Sequence, residues 1–120
     1  MLKSLVFAAA VCVSAAPAAH AAEFKCNGDS VEKSGSTHFK LRRSGADITV
    51  EKSGSTKGKA VKSGSKYNVE VSGSTKASIE NGKIYKSGST WATVSDAQKV
   101  FDCDDTAAAT LWVLRQIGAI

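Results

Sequence analysis

One phrase of eleven residues recurs along this chain, and its spacing limits what the chain can fold into. The copies read VEKSGSTHFKL (31–41), VEKSGSTKGKA (50–60), VEVSGSTKASI (69–79), IYKSGSTWATV (84–94) and VFDCDDTAAAT (100–110). Their starts lie 19, 19, 15 and 16 residues apart, too close for most helical repeats and suited to one β-hairpin plus a connecting turn. Between them, Arg43-Ser44-Gly45-Ala46-Asp47, Lys62-Ser63-Gly64-Ser65 and Glu80-Asn81-Gly82 have turn chemistry. Ser-Gly tracts alone would read as flexible linker. Apolar residues at the same places in every copy make a folded repeat the better reading.

A residue and its cross-strand partner share a face of the sheet, so loop length sets the register. With Ser-Gly-Ser as a three-residue loop, Glu32 faces His38, Glu51 faces Lys57, Glu70 faces Lys76 and Tyr85 faces Trp91. The opposite face then collects Val31, Val50, Val69 and Ile84 with Leu41, Ala60, Ile79 and Val94, joined by Phe39, Gly58, Ala77 and Ala92. A two-residue Ser-Gly loop would scatter these residues over both faces. The odd loop is therefore expected, although a three-residue hairpin usually places its Gly last rather than in the centre.

The fifth copy departs from the pattern in its second half. Asp104-Asp105-Thr106, a run of helix formers, Arg115 and the terminating Gly118 predict a helix over about 105–117. Its apolar residues run nearly all the way round, as in a buried helix. Small residues on the apolar face of the sheet would let it approach closely. The expected fold is mainly β: about five short hairpin repeats forming a ring or shallow barrel, with the C-terminal apolar helix packed in or on it. A final strand over Leu111 to Ile117 is the competing reading, because short apolar runs are ambiguous.

Lys3, the apolar run Leu5 to Ala16 and the small residues of Ala19-His20-Ala21 read as a signal peptide cleaved after Ala21. The run is shorter than the roughly 20 residues of a membrane-spanning helix. The expected organisation is a signal peptide over 1–21 and a single repeat domain over 22–120, periplasmic or secreted. Cys12 leaves with the signal. Cys26 and Cys103 remain, and in an oxidising compartment such a pair reads as a disulfide rather than a metal site. Their bond would close a loop of 77 residues (103 − 26) and bring the two ends of the repeat array together.

Without Lys3, 15 basic residues (16 − 1) stand against 11 acids, most of the basic ones within 31–90. A charge run is first a solvated face, and an exported protein rarely meets nucleic acid, so no nucleic-acid partner is expected. Beyond the signal the only histidine is His38, and Ser34, Ser53, Ser72 and Ser87 are best explained as turn formers. No enzyme is expected. Gly54 to Ala60 lacks the spacing and the terminal hydroxyl of a phosphate-binding loop. Asp102, Asp104 and Asp105 do not supply the six to eight oxygens that calcium takes, and capping explains two of them; no metal or cofactor is expected. Tyr85, Trp91 and Phe101 fall on the outward face in this register and form a candidate binding patch.

The stretch Gly82-Lys83-Ile84-Tyr85-Lys86-Ser87-Gly88-Ser89-Thr90-Trp91-Ala92-Thr93-Val94, with its neighbours and the Ala-rich apolar tail, resembles the short-hairpin repeat proteins called β-flowers. The resemblance covers nearly all of the chain beyond the signal, and its motif is compositional. It implies a small barrel around a hydrophobic centre, distantly similar to tubby-type and scramblase-type barrels that hold a C-terminal helix. It implies architecture more than function. The Ser-Gly-Ser-Thr loops, the irregular spacing and the disulfide depart from the commoner pattern.

The expected function is that of an exported, non-catalytic β-repeat protein that binds a protein or envelope component or lends structure. One alternative is binding to amphiphiles or to anionic membrane surface through the C-terminal helix and the Lys-rich face. Another is an inhibitor or immunity protein for an exported enzyme.

Overall fold

The computed structural model describes residues 22–120; the expected signal peptide, with Cys12, lies outside them. Strands β1 (Phe24–Asn27), β2 (Ser30–Lys33), β3 (Ser36–Ser44), β4 (Asp47–Lys52) and β5 (Ser55–Ser63) are followed by β6 (Lys66–Val71), β7 (Ser74–Glu80), β8 (Lys83–Lys86) and β9 (Ser89–Thr93). Helix α1 (Val94–Gln98), the two-residue strand β10 (Phe101–Asp102) and helix α2 (Asp105–Gln116) complete the chain. The strands form one sheet in the order β10-β1-β2-β3-β4-β5-β6-β7-β8-β9. From β1 to β9 it is an antiparallel meander, so its turns alternate between two ends. We call the Ser-Gly end the tip end and the other the connector end.

The tips correct the expected register. Each is a two-residue turn, with Lys33 opposite Ser36 and Lys52 opposite Ser55. Both central residues have positive φ: Ser34, Ser53, Ser72 and Ser87 at 54–55° and the following glycines at 82°, the type I′ geometry that matches strand twist. Glycine thus occupies the second loop position, where type I′ turns favour it. Glu32, Glu51, Glu70 and Tyr85 pair with the threonines Thr37, Thr56, Thr75 and Thr90. One residue later the ladder slips, and Val31 meets Phe39, Val50 meets Gly58, Val69 meets Ala77 and Ile84 meets Ala92. The extra residue in each hairpin is His38, Lys57, Lys76 or Trp91. This β-bulge restores the parity that the even loop would have broken, so the inner apolar face comes out as expected. Val31, Val50, Val69, Ala60 and Ile84 are fully buried.

At the connector end, Gly28, Gly45 and Gly64 open two-residue turns with positive φ, and Asn81-Gly82 makes a further type I′ turn. The ladder between β5 and β6 has five pairs and that between β7 and β8 has three. Two residues lost from each arm are the physical content of the step from 19 to 15. The space goes to α1, whose first amide, Val94 N, donates to Gly82 O at 2.9 Å. Thr93 caps α1, accepting from Asp96 N while Asp96 accepts from Thr93 N, a reciprocal capping box.

Helix α2 lies against the concave face of the sheet. Ala107, Ala108, Ala109, Leu111, Val113 and Leu114 are fully buried, and a Cβ placed on Gly58 would lie 2.5 Å from Leu114 Cδ2. The expected close approach over small residues is thus made at Gly58. The strand alternative for Leu111 to Ile117 is replaced by helix as far as Gln116, with Ile117 as its C-cap. Asp104 caps α2 at Ala107 N and also pairs with Arg43 at 2.8 Å, tying the helix start to the β3–β4 connector. Buried Thr110 donates its hydroxyl to Thr106 O at 2.7 Å. Gly118, at φ 81°, ends the helix, and Ala119 N returns to Leu114 O.

The sheet is not closed into a barrel, which corrects the expected ring. The fifth copy makes no hairpin: Phe101 and Asp102 lie parallel to Phe24 and Lys25. Because the chain enters α1 directly after β9, the edges of β9 and β10 never meet, and α1, burying Val94 and Ala97, bridges the seam. Cys26 and Cys103 form the expected disulfide, their Cα atoms 5.0 Å apart. It ties the start of the meander to the segment that follows β10.

Candidate functional site

The repeat builds the same surface feature three times at the tip end. Pairing between neighbouring hairpins stops at Lys40–Glu51, Lys59–Glu70 and Ser78–Tyr85, while pairing within each hairpin continues to its tip. Adjacent tips therefore stand apart, and a notch opens between them. Its walls come from equivalent positions: Thr37, Thr56 and Thr75, then the bulge residues His38, Lys57 and Lys76, on one side. On the other stand Glu51, Glu70 and Tyr85, then Ser53, Ser72 and Ser87 with their glycines. The volumes are about 310, 510 and 480 Å³, the lower part of the range for small-molecule clefts. Hydroxyls, Lys and Glu share the lining with Phe39 in the first, Val71 and Ala119 in the second and Ala77 and Tyr85 in the third, so each notch offers polar groups beside some apolar surface.

The bore opens at the same end into a depression of about 190 Å³ lined by Phe24, Phe39, Phe101, His38, Lys52, Arg115 and Ile120. One residue beyond the outward-facing Glu32 and Glu51, strand alternation turns Lys33 and Lys52 toward this mouth. Lys33 Nζ lies 5.6 Å from the centre of the Phe24 ring and Lys52 Nζ 5.7 Å from that of Phe39, within cation–π range. Lys86 Nζ sits 4.6 Å from the Trp91 ring. Glu23 accepts from Arg115 at 2.8 Å and Lys33 at 3.0 Å, and these two hydrogen-bonded cations hold its carboxyl below the usual glutamate range. The Thr93 backbone and hydroxyl, in the α1 cap, lower Asp96 in the same direction. Hydrogen bonding to Asp104 raises Arg43. A general acid or base at neutral pH needs a shift toward neutrality; these carboxyls are moved away from it by capping and ion pairing.

The proposed aromatic patch does not form as one surface. Phe101 is fully buried and stacks on Phe24 with centroids 4.9 Å apart, because β10 pairs with β1 instead of turning outward in a fifth hairpin. Trp91 is a bulge residue, half-buried edge-on against Trp112 at 4.9 Å. Tyr85 is half-buried in the third notch. Tyr85 stands opposite Thr90, not Trp91. Glu51, expected to face Lys57, instead stands opposite Thr56 and accepts from Arg42 at 3.0 Å. His38 is exposed and rests edge-on against Phe24. Among the described residues, no cluster of three or more His, Cys, Asp or Glu is placed to hold a metal ion. Asp104 and Asp105 serve the α2 start, where Gln98 Nε2 donates to Asp105 at 2.8 Å.

The sequence reading missed the notches and the left-handed serines. The signal was present in the strict recurrence of Ser-Gly-Ser-Thr, read there as turn chemistry alone. No family model matches the chain, and no curated protein or solved structure matches it either.

Proposed function

We propose that this is an exported, non-catalytic binding protein of the β-flower type, periplasmic or secreted, that engages its partner with the tip end. The supporting observation is the threefold notch: identical positions of successive repeats arrange Thr, Ser and charged side chains on one end of the sheet. Repetition of a recognition unit gives avidity toward a ligand that is itself repeated or extended, without tight binding at any one unit. The core supports the same reading, because the apolar side of α2 is occupied by the sheet. A disulfide across the repeat array suits an oxidising compartment. Among the described residues no helix is long and apolar enough to cross a membrane.

Amide-resolved NMR titration of the oxidised protein with anionic phospholipid vesicles, a soluble anionic glycan and envelope protein fractions tests the assignment. Perturbations confined to 34–38, 53–57, 72–76 and 87–91 are expected with at least one of these. Perturbations centred on the connector turns, or none anywhere, would refute it.

A further inference from the structure

The two ends of the sheet differ in their balance of charge. Asp29, Asp47, Glu80, Asp96, Asp104 and Asp105 all lie at the connector end, among Arg43, Lys62, Lys66, Lys83 and Lys99. The tip end carries Lys33, Lys52, Lys57, Lys76 and Lys86 against Glu32, Glu51 and Glu70, and Glu51 is held by Arg42. Of these lysines, only Lys33 has a carboxylate partner within 4 Å among the described residues. Lys52, Lys76 and Lys86 are exposed, and Lys57 is half-buried at its notch.

Shape limits the partner. The four tips belong to successive hairpins of one curled sheet and all project from the same end, around the mouth of the bore. A linear polymer laid across such a crown touches the tips along its path. A flat surface touches all of them together. The tips also carry no large apolar side chain: Ser-Gly-Ser-Thr is exposed in every copy. Such a crown can rest on a charged interface without entering hydrocarbon.

The serines supply the third observation. Ser34, Ser53, Ser72 and Ser87 sit in left-handed backbone, where Asn is favoured over Ser, and the chain does use Asn81 at its one connector turn of the same type. Three of the four tips nevertheless present a hydroxyl donor directly after a lysine, at Lys33, Lys52 and Lys86, with Val71 in that place at the third; hydroxyl and cation together suit phosphate oxygens.

The geometry points to the tip end as a docking face for an anionic phospholipid bilayer, with tip serines and rim lysines on the headgroup phosphates and α2 remaining inside the sheet. This rests on the tip end being the binding end. It differs from insertion of the C-terminal helix, because the apolar residues of α2 never leave the core.

Co-sedimentation with phosphatidylglycerol–phosphatidylcholine vesicles and with pure phosphatidylcholine vesicles tests it, using the purified, oxidised protein. Binding is expected only to the anionic vesicles and is expected to fall steeply at salt high enough to shorten the Debye length to about 3 Å. Two variants of equal net charge separate face from charge: K52S/K76S/K86S at the tips and K62S/K83S/K99S at the connector end. Each juxtamembrane lysine changes partitioning about five-fold. The tip variant should therefore lose binding by two orders of magnitude or more, while the connector variant stays within several-fold of the parent. Circular dichroism establishes that both remain folded. Equal loss in the two variants, or no binding to anionic vesicles, overturns the lipid assignment. If vesicles are ignored while a soluble anionic glycan or a protein perturbs the tip amides, that assignment falls and the tip end stands as a binding face; if nothing perturbs the tips, both fall.

Discussion

Ser53, at φ 54° in a type I′ turn, stands where asparagine relieves strain through its short polar side chain. Ser53→Asn is therefore expected to stabilise the fold by about 0.5 kcal/mol, read as a higher midpoint in urea; a lower midpoint would show the hydroxyl to be structural. If the tip serines are kept for contact, the same change weakens vesicle binding, a trade of stability against function. Gly58 is the opposite case, since its φ is ordinary and the constraint is space. Gly58→Ala sets a methyl 2.5 Å from Leu114 Cδ2 and 3.2 Å from Glu70 O. The expected cost is about 1–3 kcal/mol. In a double-mutant cycle with Leu114→Ala the two losses should sum to more than the loss of the pair, because shortening Leu114 makes room for the methyl. Strict additivity would mean that the helix moves instead.

Each hairpin is a type I′ tip, one bulge and a longer arm toward the connector end, and the bulge is the part on which the rest depends. An even loop puts equal numbers of residues on both sides, and without an inserted residue Val50 and Gly58 would leave the shared face. Deleting Lys57 is accordingly expected to destabilise far more than Lys57→Ala, which keeps the backbone count and removes only an unpaired side chain. Equal midpoints for the two variants in chemical denaturation would show that the hairpin re-registers freely. The inner face and the helix were legible because both rest on periodicity. The tip pairs were not, because parity counting assumes an unbroken ladder, and no residue type announces a bulge that His38, Lys57, Lys76 and Trp91 can all occupy.

The whole molecule is a curled open sheet held shut by ties of different kinds. Cys26–Cys103 closes a 77-residue loop, worth about 4–5 kcal/mol in chain entropy. Cys26→Ser/Cys103→Ser is expected to lower unfolding stability by that order in chemical denaturation, and a loss under about 1 kcal/mol would mean that the packing of α1 and α2 secures the seam without it. Glu23 provides an ionic tie, joining the entry of β1 to Lys33 at a tip and Arg115 on α2. Its folded pKa is depressed, so its contribution is present above the unfolded glutamate value of about 4.3 and is lost as pH falls through the lower, folded value. Glu23→Gln should therefore flatten the acid limb of the stability profile below about pH 4 and leave its slope near neutrality unchanged; an altered slope near neutrality would point to a different titrating group.

Local rules acting on the sequence alone determined the hairpin repeat, the apolar face, the disulfide partners and the helix with its Asp104 cap. Periodicity, turn chemistry and capping are properties of neighbouring residues. Tertiary structure decided what depends on distant residues meeting. Phe101 went inside because Phe24, 77 residues earlier, pairs with it, and Trp91 lost its outward position because Trp112 lay on the helix beneath it. The sheet stayed open because α1 filled the space that a closing strand pair would have taken. The notches likewise exist only where neighbouring hairpins stop pairing, a relation between two repeats that no single repeat contains.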